Sequence, residues 1–119
     1  MFVNLTNHPH EKWSVEQISA ASEYGEIKDI SFPNVPPAAT EAQVDGIAKD
    51  LFEQIIDLDP DVVMCQGEMT LTFRLVVMLK ARGIKTVAAC SERCVQEVNN
   101  EDGSTQQITR FVFRGFREY

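Results

Sequence analysis

The run Val62-Val63-Met64-Cys65-Gln66-Gly67-Glu68-Met69-Thr70 passes from an apolar, β-branched segment into a helical pattern through a single glycine. A short strand feeding a helix through one tight turn places the free N–H groups of the helix start at the carboxyl end of the strand. Positive partial charge gathers there, and anions such as phosphate are natural guests. Three other strand-like stretches end in polar tails: Thr6-Asn7-His8-Pro9, Phe32-Pro33-Asn34 and Ser91-Glu92-Arg93. In one parallel sheet, these tails would meet on one edge.

Outward from this run, Asp61 to Gln66 is almost continuously apolar, as a central parallel strand covered on both faces should be. Upstream, Thr40-Glu41-Ala42-Gln43 has the spacing of a capping box. It opens a helix whose Val44, Ile47, Ala48, Leu51, Phe52, Ile55 and Leu58 form one stripe. Downstream, Met69 through Arg82 is apolar almost all round and predicts a buried helix stopped by Gly83. Ile84 to Cys90 follows as a strand.

Toward the N-terminus, Phe2 to Thr6 reads as a first strand and Ser14-Val15-Glu16-Gln17 as another capping box, opening a short helix to about Tyr24. Ile27 to Ile30 alternates as an edge strand does, and the prolines between Phe32 and Ala39 make a stiff connection. Near the C-terminus, Val95 to Val98 and Ile108 to Phe116 flank a turn-rich break at 99–104, which predicts a hairpin. The alternation predicts one α/β domain over residues 1–119: a Rossmann-like three-layer fold with a mainly parallel sheet of order 2-1-3-4, the hairpin extending its far edge. Ligands of such sheets sit where connections leave in opposite directions. Here that crevice lies between the Asn7-His8 loop and the Gln66-Gly67-Glu68 turn.

The chain has 119 residues and a net charge of −7. Residues 1 to 60 carry 3 Lys+Arg against 11 Asp+Glu, and residues 61 to 119 carry 8 against 7. Duplex nucleic acid, whose binding rests on many phosphate contacts, is excluded as a non-specific partner. A small phosphate-bearing ligand at one focused site is not. Cys65, Cys90 and Cys94 fit buried thiols of a reducing cytosol better than a disulfide framework, and with only two histidines they give no zinc spacing. No run reaches the length of a membrane span. The chain opens on strand residues rather than a charged-then-apolar leader, so the expectation is a cytoplasmic protein without metal or cofactor.

Within the expected crevice, Gly67 permits close backbone approach and Thr70 sets a hydroxyl at the helix start. The same residues also fit a plain strand-to-helix turn with a hydroxyl cap. Glu68 complements the helix dipole, competing with a phosphate or orienting a ligand hydroxyl. His8 carries the side chain suited to moving protons near neutrality, or is a loop histidine bonded to backbone. Ser91 and Arg93 offer a hydroxyl and a guanidinium for phosphate; alternatively Glu92 pairs with Arg93. Trp13 and Phe32 are stacking surfaces or packing.

Asn4-Leu5-Thr6-Asn7-His8-Pro9 followed by Trp13 and Gln17, Gln66-Gly67-Glu68-Met69-Thr70-Leu71-Thr72, and Cys90-Ser91-Glu92-Arg93 together resemble the small stand-alone CRISPR-associated proteins of the Csx type, CARF-related single domains regarded as ring nucleases. The resemblance implies a homodimer that binds a cyclic oligoadenylate in type III CRISPR antiviral defence and cuts it without metal, a ribose 2′-hydroxyl attacking the neighbouring phosphate. On that footing His8, Thr70 and Arg93 are the catalytic candidates. Thr6, Asn7, Gln66, Gly67, Glu68 and Ser91 are the ligand-binding ones. A non-catalytic sensor of the same ligand is the alternative, and a partner protein using the acidic face of the second helix is a third reading.

Overall fold

The computed structural model describes residues 1–119. Its elements are β1 (Phe2–Thr6), a 3₁₀ turn (His10–Lys12), α1 (Val15–Ser22), β2 (Ile27–Ser31), α2 (Glu41–Asp57), β3 (Val62–Cys65), α3 (Met69–Ala81), β4 (Lys85–Asn99) and β5 (Thr105–Glu118). One five-stranded sheet runs β2-β1-β3-β4-β5. The pairs β1–β2, β1–β3 and β3–β4 are parallel, and β4–β5 is antiparallel.

Side chains alternate across each strand, and this divides the core in two. Val3, Leu5, Val63 and Cys65 face α2 and α3, packing on Val44, Ala48, Leu51, Ile55, Leu71, Leu75 and Leu79. Phe2, Val62, Met64 and Val87 face the other way, toward Ala21 of α1 and toward Trp13, Tyr24 and Phe116. Local signals fix the helix starts. The Thr40 hydroxyl accepts the Gln43 N–H at 3.2 Å while the Gln43 side chain accepts the Thr40 N–H at 2.8 Å, satisfying two otherwise orphaned donors. At Ser14 only half of the box forms: its hydroxyl accepts the Gln17 N–H, but the Gln17 amide turns toward the sulfur of Met64 instead.

The mainly parallel Rossmann-like sheet of order 2-1-3-4 is corrected by this structure: the sheet is mixed. The strand beginning at Lys85 does not stop at Cys90, where the apolar run fades, but continues to Asn99 for 15 residues. Its partner β5 has 14, whereas β1, β2 and β3 have only 5, 5 and 4. The physical reason is that backbone pairing, not burial, carries β4 onward. Every residue from Ser91 to Asn99 has a cross-strand partner in β5, so polar side chains in water do not end the strand. Ser91-Glu92-Arg93 is therefore the middle of a ribbon rather than a tail on the sheet rim.

That ribbon projects beyond the body. The molecule measures 56 × 38 × 21 Å with a radius of gyration of 17.4 Å, against about 13.5 Å for a compact chain of this length. Between Cys90 and Ser91 the register shifts, because Cys90 pairs with Gly115 and Ser91 with Phe113, leaving Arg114 as an extra residue. Gly115 sits there at φ +155°, a conformation that residues with a side chain rarely adopt. The buried helix expected over Met69 to Arg82 is also corrected. Leu71, Leu75 and Leu79 are buried, but Met69, Phe73 and Val77 are 82%, 69% and 52% exposed, forming an uncovered stripe on the opposite side of α3.

No helix is long and apolar enough to cross a membrane.

Candidate functional site

A cleft of about 510 Å³ opens at the carboxyl ends of β1 and β3. Its floor is Met64 and Ala89, one wall is the loop from Thr6 to Ser14 with Gln17 of α1, and the other is Gln66, Ser91 and the ribbon residues Phe111 and Phe113. The cross-strand pair Ser91–Phe113 explains how the ribbon reaches the cleft: partners in an antiparallel ladder share a face.

The loop after β1 is held by its own polar groups. The His8 carbonyl accepts from Asn4 Nδ2 at 2.8 Å and from Trp13 Nε1 at 3.0 Å, and the His8 N–H donates to Thr6 Oγ1 at 3.1 Å. Asn4, wholly buried, also donates to Asp29 at 2.8 Å and accepts the Thr6 hydroxyl at 2.8 Å. The His8 backbone is thus fixed from both sides at a place where the residue lines the cleft. Burial pushes the Asp29 carboxyl up, but the hydrogen bonds from Asn4 and His10 outweigh it and hold the group below its ordinary value.

At the far wall, Gln66 Oε1 accepts the Ala89 N–H at 2.8 Å, and the Gln66 N–H donates to the Leu5 carbonyl at 3.2 Å. The residue therefore clamps β1, β3 and β4 together at the cleft mouth. Its side-chain NH₂ is left as a donor for a guest.

Of the residues singled out from sequence, Thr6, Asn7, His8, Gln66 and Ser91 come together here. Thr6 serves internally, its hydroxyl spent on Asn4 and His8. Gly67, Glu68, Thr70 and Arg93 do not line the cleft. The Glu68 carboxylate accepts the N–H groups of Thr70 and Leu71 at 3.0 and 2.8 Å, and the Thr70 hydroxyl at 2.7 Å. These bonds, the Thr70 hydroxyl foremost, lower the Glu68 pKa. The helix start expected to receive a phosphate is thus filled by the chain's own anion. Gly67 is a packing glycine: a Cβ there would meet the Phe32 ring at 2.5 Å. Arg93 pairs with Phe111 across the ladder, so it shares the cleft face but stands one pleat beyond Ser91. Glu92 pairs with Arg114 at 2.7 Å, not with Arg93.

Sequence reasoning missed Lys12, Phe111 and Phe113, and gave Gln17 only as part of the resembling segment and of a capping box, not as a site residue. Lys12 and Gln17 flank Trp13 in a segment already marked by His8, and that proximity was the available signal. Phe111 and Phe113 carried none, because the hairpin reads as a separate edge until its register with Ser91 is known.

The charge of the cleft sets it apart from the rest of the chain. None of the 18 Asp and Glu residues lines it, while Lys12 and His8 do. Three aromatic rings, Trp13, Phe111 and Phe113, stand among side-chain amides and hydroxyls. Such a surface suits a guest with negative charge and flat rings. No group of three His, Cys, Asp or Glu residues is arranged to hold a metal ion.

A family described as "Uncharacterized protein MJ1673 family" matches residues 1–117 of the chain. No curated protein and no solved structure matches it.

Proposed function

The chain belongs to the MJ1673 family, and we propose, on the cleft's lining and the sequence resemblance, that it binds a cyclic oligoadenylate and cleaves it as a ring nuclease of type III CRISPR defence. The observation that carries the reading is the carboxylate-free, aromatic-lined cleft at the strand ends of an otherwise acidic chain. The sequence resemblance supplies the identity of the guest.

In this reading, Phe111, Phe113 and Trp13 give π faces for adenine rings, and Asn7, Gln17 and Gln66 give amides for base edges or ribose hydroxyls. Lys12 neutralises phosphate charge. Cleavage proceeds by attack of a ribose 2′-oxygen on the adjacent phosphorus: one P–O bond forms, the bond to the 5′-oxygen breaks, and a 2′,3′-cyclic phosphate and a 5′-hydroxyl result. The 2′-hydroxyl gives up one proton and the leaving 5′-oxygen takes one; His8, on its fixed loop, accepts the first, and solvent water supplies the second. The protein's larger contribution is holding attacking oxygen, phosphorus and leaving oxygen in line. The reaction requires no metal in this scheme, and the setting is cytoplasmic.

A non-catalytic sensor of the same ligand is favoured by one observation. With Glu68 on the N–H groups of α3, those donors are not free to stabilise charge on a reacting phosphate. Pairing with a second copy belongs to either reading, and the exposed stripe Met69, Phe73 and Val77 supports it as one apolar surface on the body of the molecule.

Incubation of the purified protein with cyclic tri-, tetra- and hexa-adenylate in EDTA tests the reading. Linear products with 2′,3′-cyclic phosphate ends are expected. Tight binding without product would leave the sensor, and neither binding nor product would remove both.

A further inference from the structure

Asp29, outside the cleft, anchors the loop that carries His8. The parallel register of β1 and β2 sets Asn4 and Asp29 as direct partners. One Asp29 oxygen accepts Asn4 Nδ2 at 2.8 Å and the His10 N–H at 3.2 Å; the other lies 2.8 Å from His10 Nδ1. A carboxylate facing Nδ1 keeps the proton on that nitrogen. Asn4 then spends its second N–H on the His8 carbonyl and its oxygen on Thr6, whose hydroxyl receives the His8 N–H. The buried amide has every donor used, so it cannot rotate without leaving a polar group unpaired inside the protein. One carboxylate on an edge strand thus grips the His8 turn at both ends, through Asn4 before it and His10 after it.

From this geometry we infer that Asp29 is a positioning residue for His8, setting where the imidazole stands in the cleft without touching the ligand. The inference rests on the cleavage reading above. Asn4 and His10 are the two connectors, and neither lines the cleft. Asp29→Asn preserves size while replacing one acceptor oxygen by a donor, which opposes either the Asn4 or the His10 donors. The His8 turn then loses one of its two anchors.

The test is a single-turnover comparison on cyclic tri-, tetra- and hexa-adenylate of the unaltered protein, Asp29→Asn, His8→Ala and the double variant. A displacement of the His8 turn is expected to slow cleavage by about 10- to 100-fold, with the dissociation constant moving less than about threefold. In the His8→Ala background, Asp29→Asn should cost nothing more, the signature of two residues acting through one group. Amide exchange at His8 should quicken in Asp29→Asn, and Asp45→Asn, which removes the partner of Arg74 at a distance from the loop, should change neither readout. Should Asp29→Asn fail to fold, His10→Ala removes one connector alone and is carried through the same cycle. Cleavage at the unaltered rate, or losses that add in the double variant, overturns the assignment while the ring-nuclease reading stands. Absence of cleavage by the unaltered protein overturns that reading and the assignment with it.

Discussion

Gln66 Oε1 receives the N–H of Ala89 at 2.8 Å, beyond Met64 and Val87, where the backbone register between β3 and β4 ends. A side chain thus carries the sheet one step past its last backbone pair, at the cleft mouth. Gln66→Ala leaves the Ala89 donor without its partner and is expected to lower stability by about 1 kcal/mol. Urea unfolding reads this, and an unchanged midpoint would mean that water replaces the amide at no cost.

Lys12 is the one lysine lining a cleft without carboxylates. If it meets a phosphate, Lys12→Ala removes a charge-assisted hydrogen bond of about 1.5–3 kcal/mol, equivalent to roughly a 10- to 150-fold rise in the dissociation constant for cyclic oligoadenylate. Arg93→Ala, one pleat farther out on the ribbon, should raise it less. Calorimetric titration of both variants ranks them, and a larger effect at Arg93 would shift the ligand's seat toward the ribbon.

The turn into α3 separates packing from binding. A methyl group at Gly67 would press on Phe32, so Gly67→Ala should cost about 1–3 kcal/mol by overpacking. Glu68→Ala should lower the melting temperature by uncapping α3 while leaving ligand affinity intact. Loss of affinity in a folded Glu68→Ala protein would return the helix start to the site.

Acid should loosen the loop after β1. The Asp29 carboxyl is held below its ordinary value by Asn4 and His10 against the opposing pull of burial. A carboxylate with a lowered folded pKa contributes stability above its unfolded pKa of about 4 and loses it as pH falls through the folded value. Stability measured from pH 6 to 2 should therefore fall less steeply in Asp29→Asn than in the unaltered chain. Parallel curves would show that other carboxylates carry the acid limb.

The parts legible in the sequence were those governed by local rules. The capping box at Thr40 and the apolar stripe of α2 follow from residue spacing alone, and both lie where their side chains place them. The near-continuous apolar run at Asp61 to Gln66 likewise located the central strand β3, and alternation located the edge strand β2. What escaped was pairing. Val95 to Val98 is legible as one arm of a hairpin, but Ser91-Glu92-Arg93 is polar and exposed, so no burial pattern joins that arm to the strand before it; only the partner strand, supplied by residues that follow the turn, makes them one. The same blindness hid Phe111 and Phe113 from the site. Glu68 failed differently: its spacing to Thr70 and Leu71 was visible, but whether a helix start keeps its amides for a guest or spends them on its own neighbour depends on a side-chain rotamer.

The long ribbon also shapes how quickly the chain finds itself. Asn99 and Thr105 are six residues apart, whereas Phe2 and Val62 are separated by sixty. Closing a loop costs more entropy as it lengthens, and contacts distant along the chain slow folding. The arm can zip from its turn before the body has assembled, yet it is made after β1 and β3. A nascent chain must therefore keep β1 and β3 from straying until Lys85 and its successors emerge to cover the exposed side of β3.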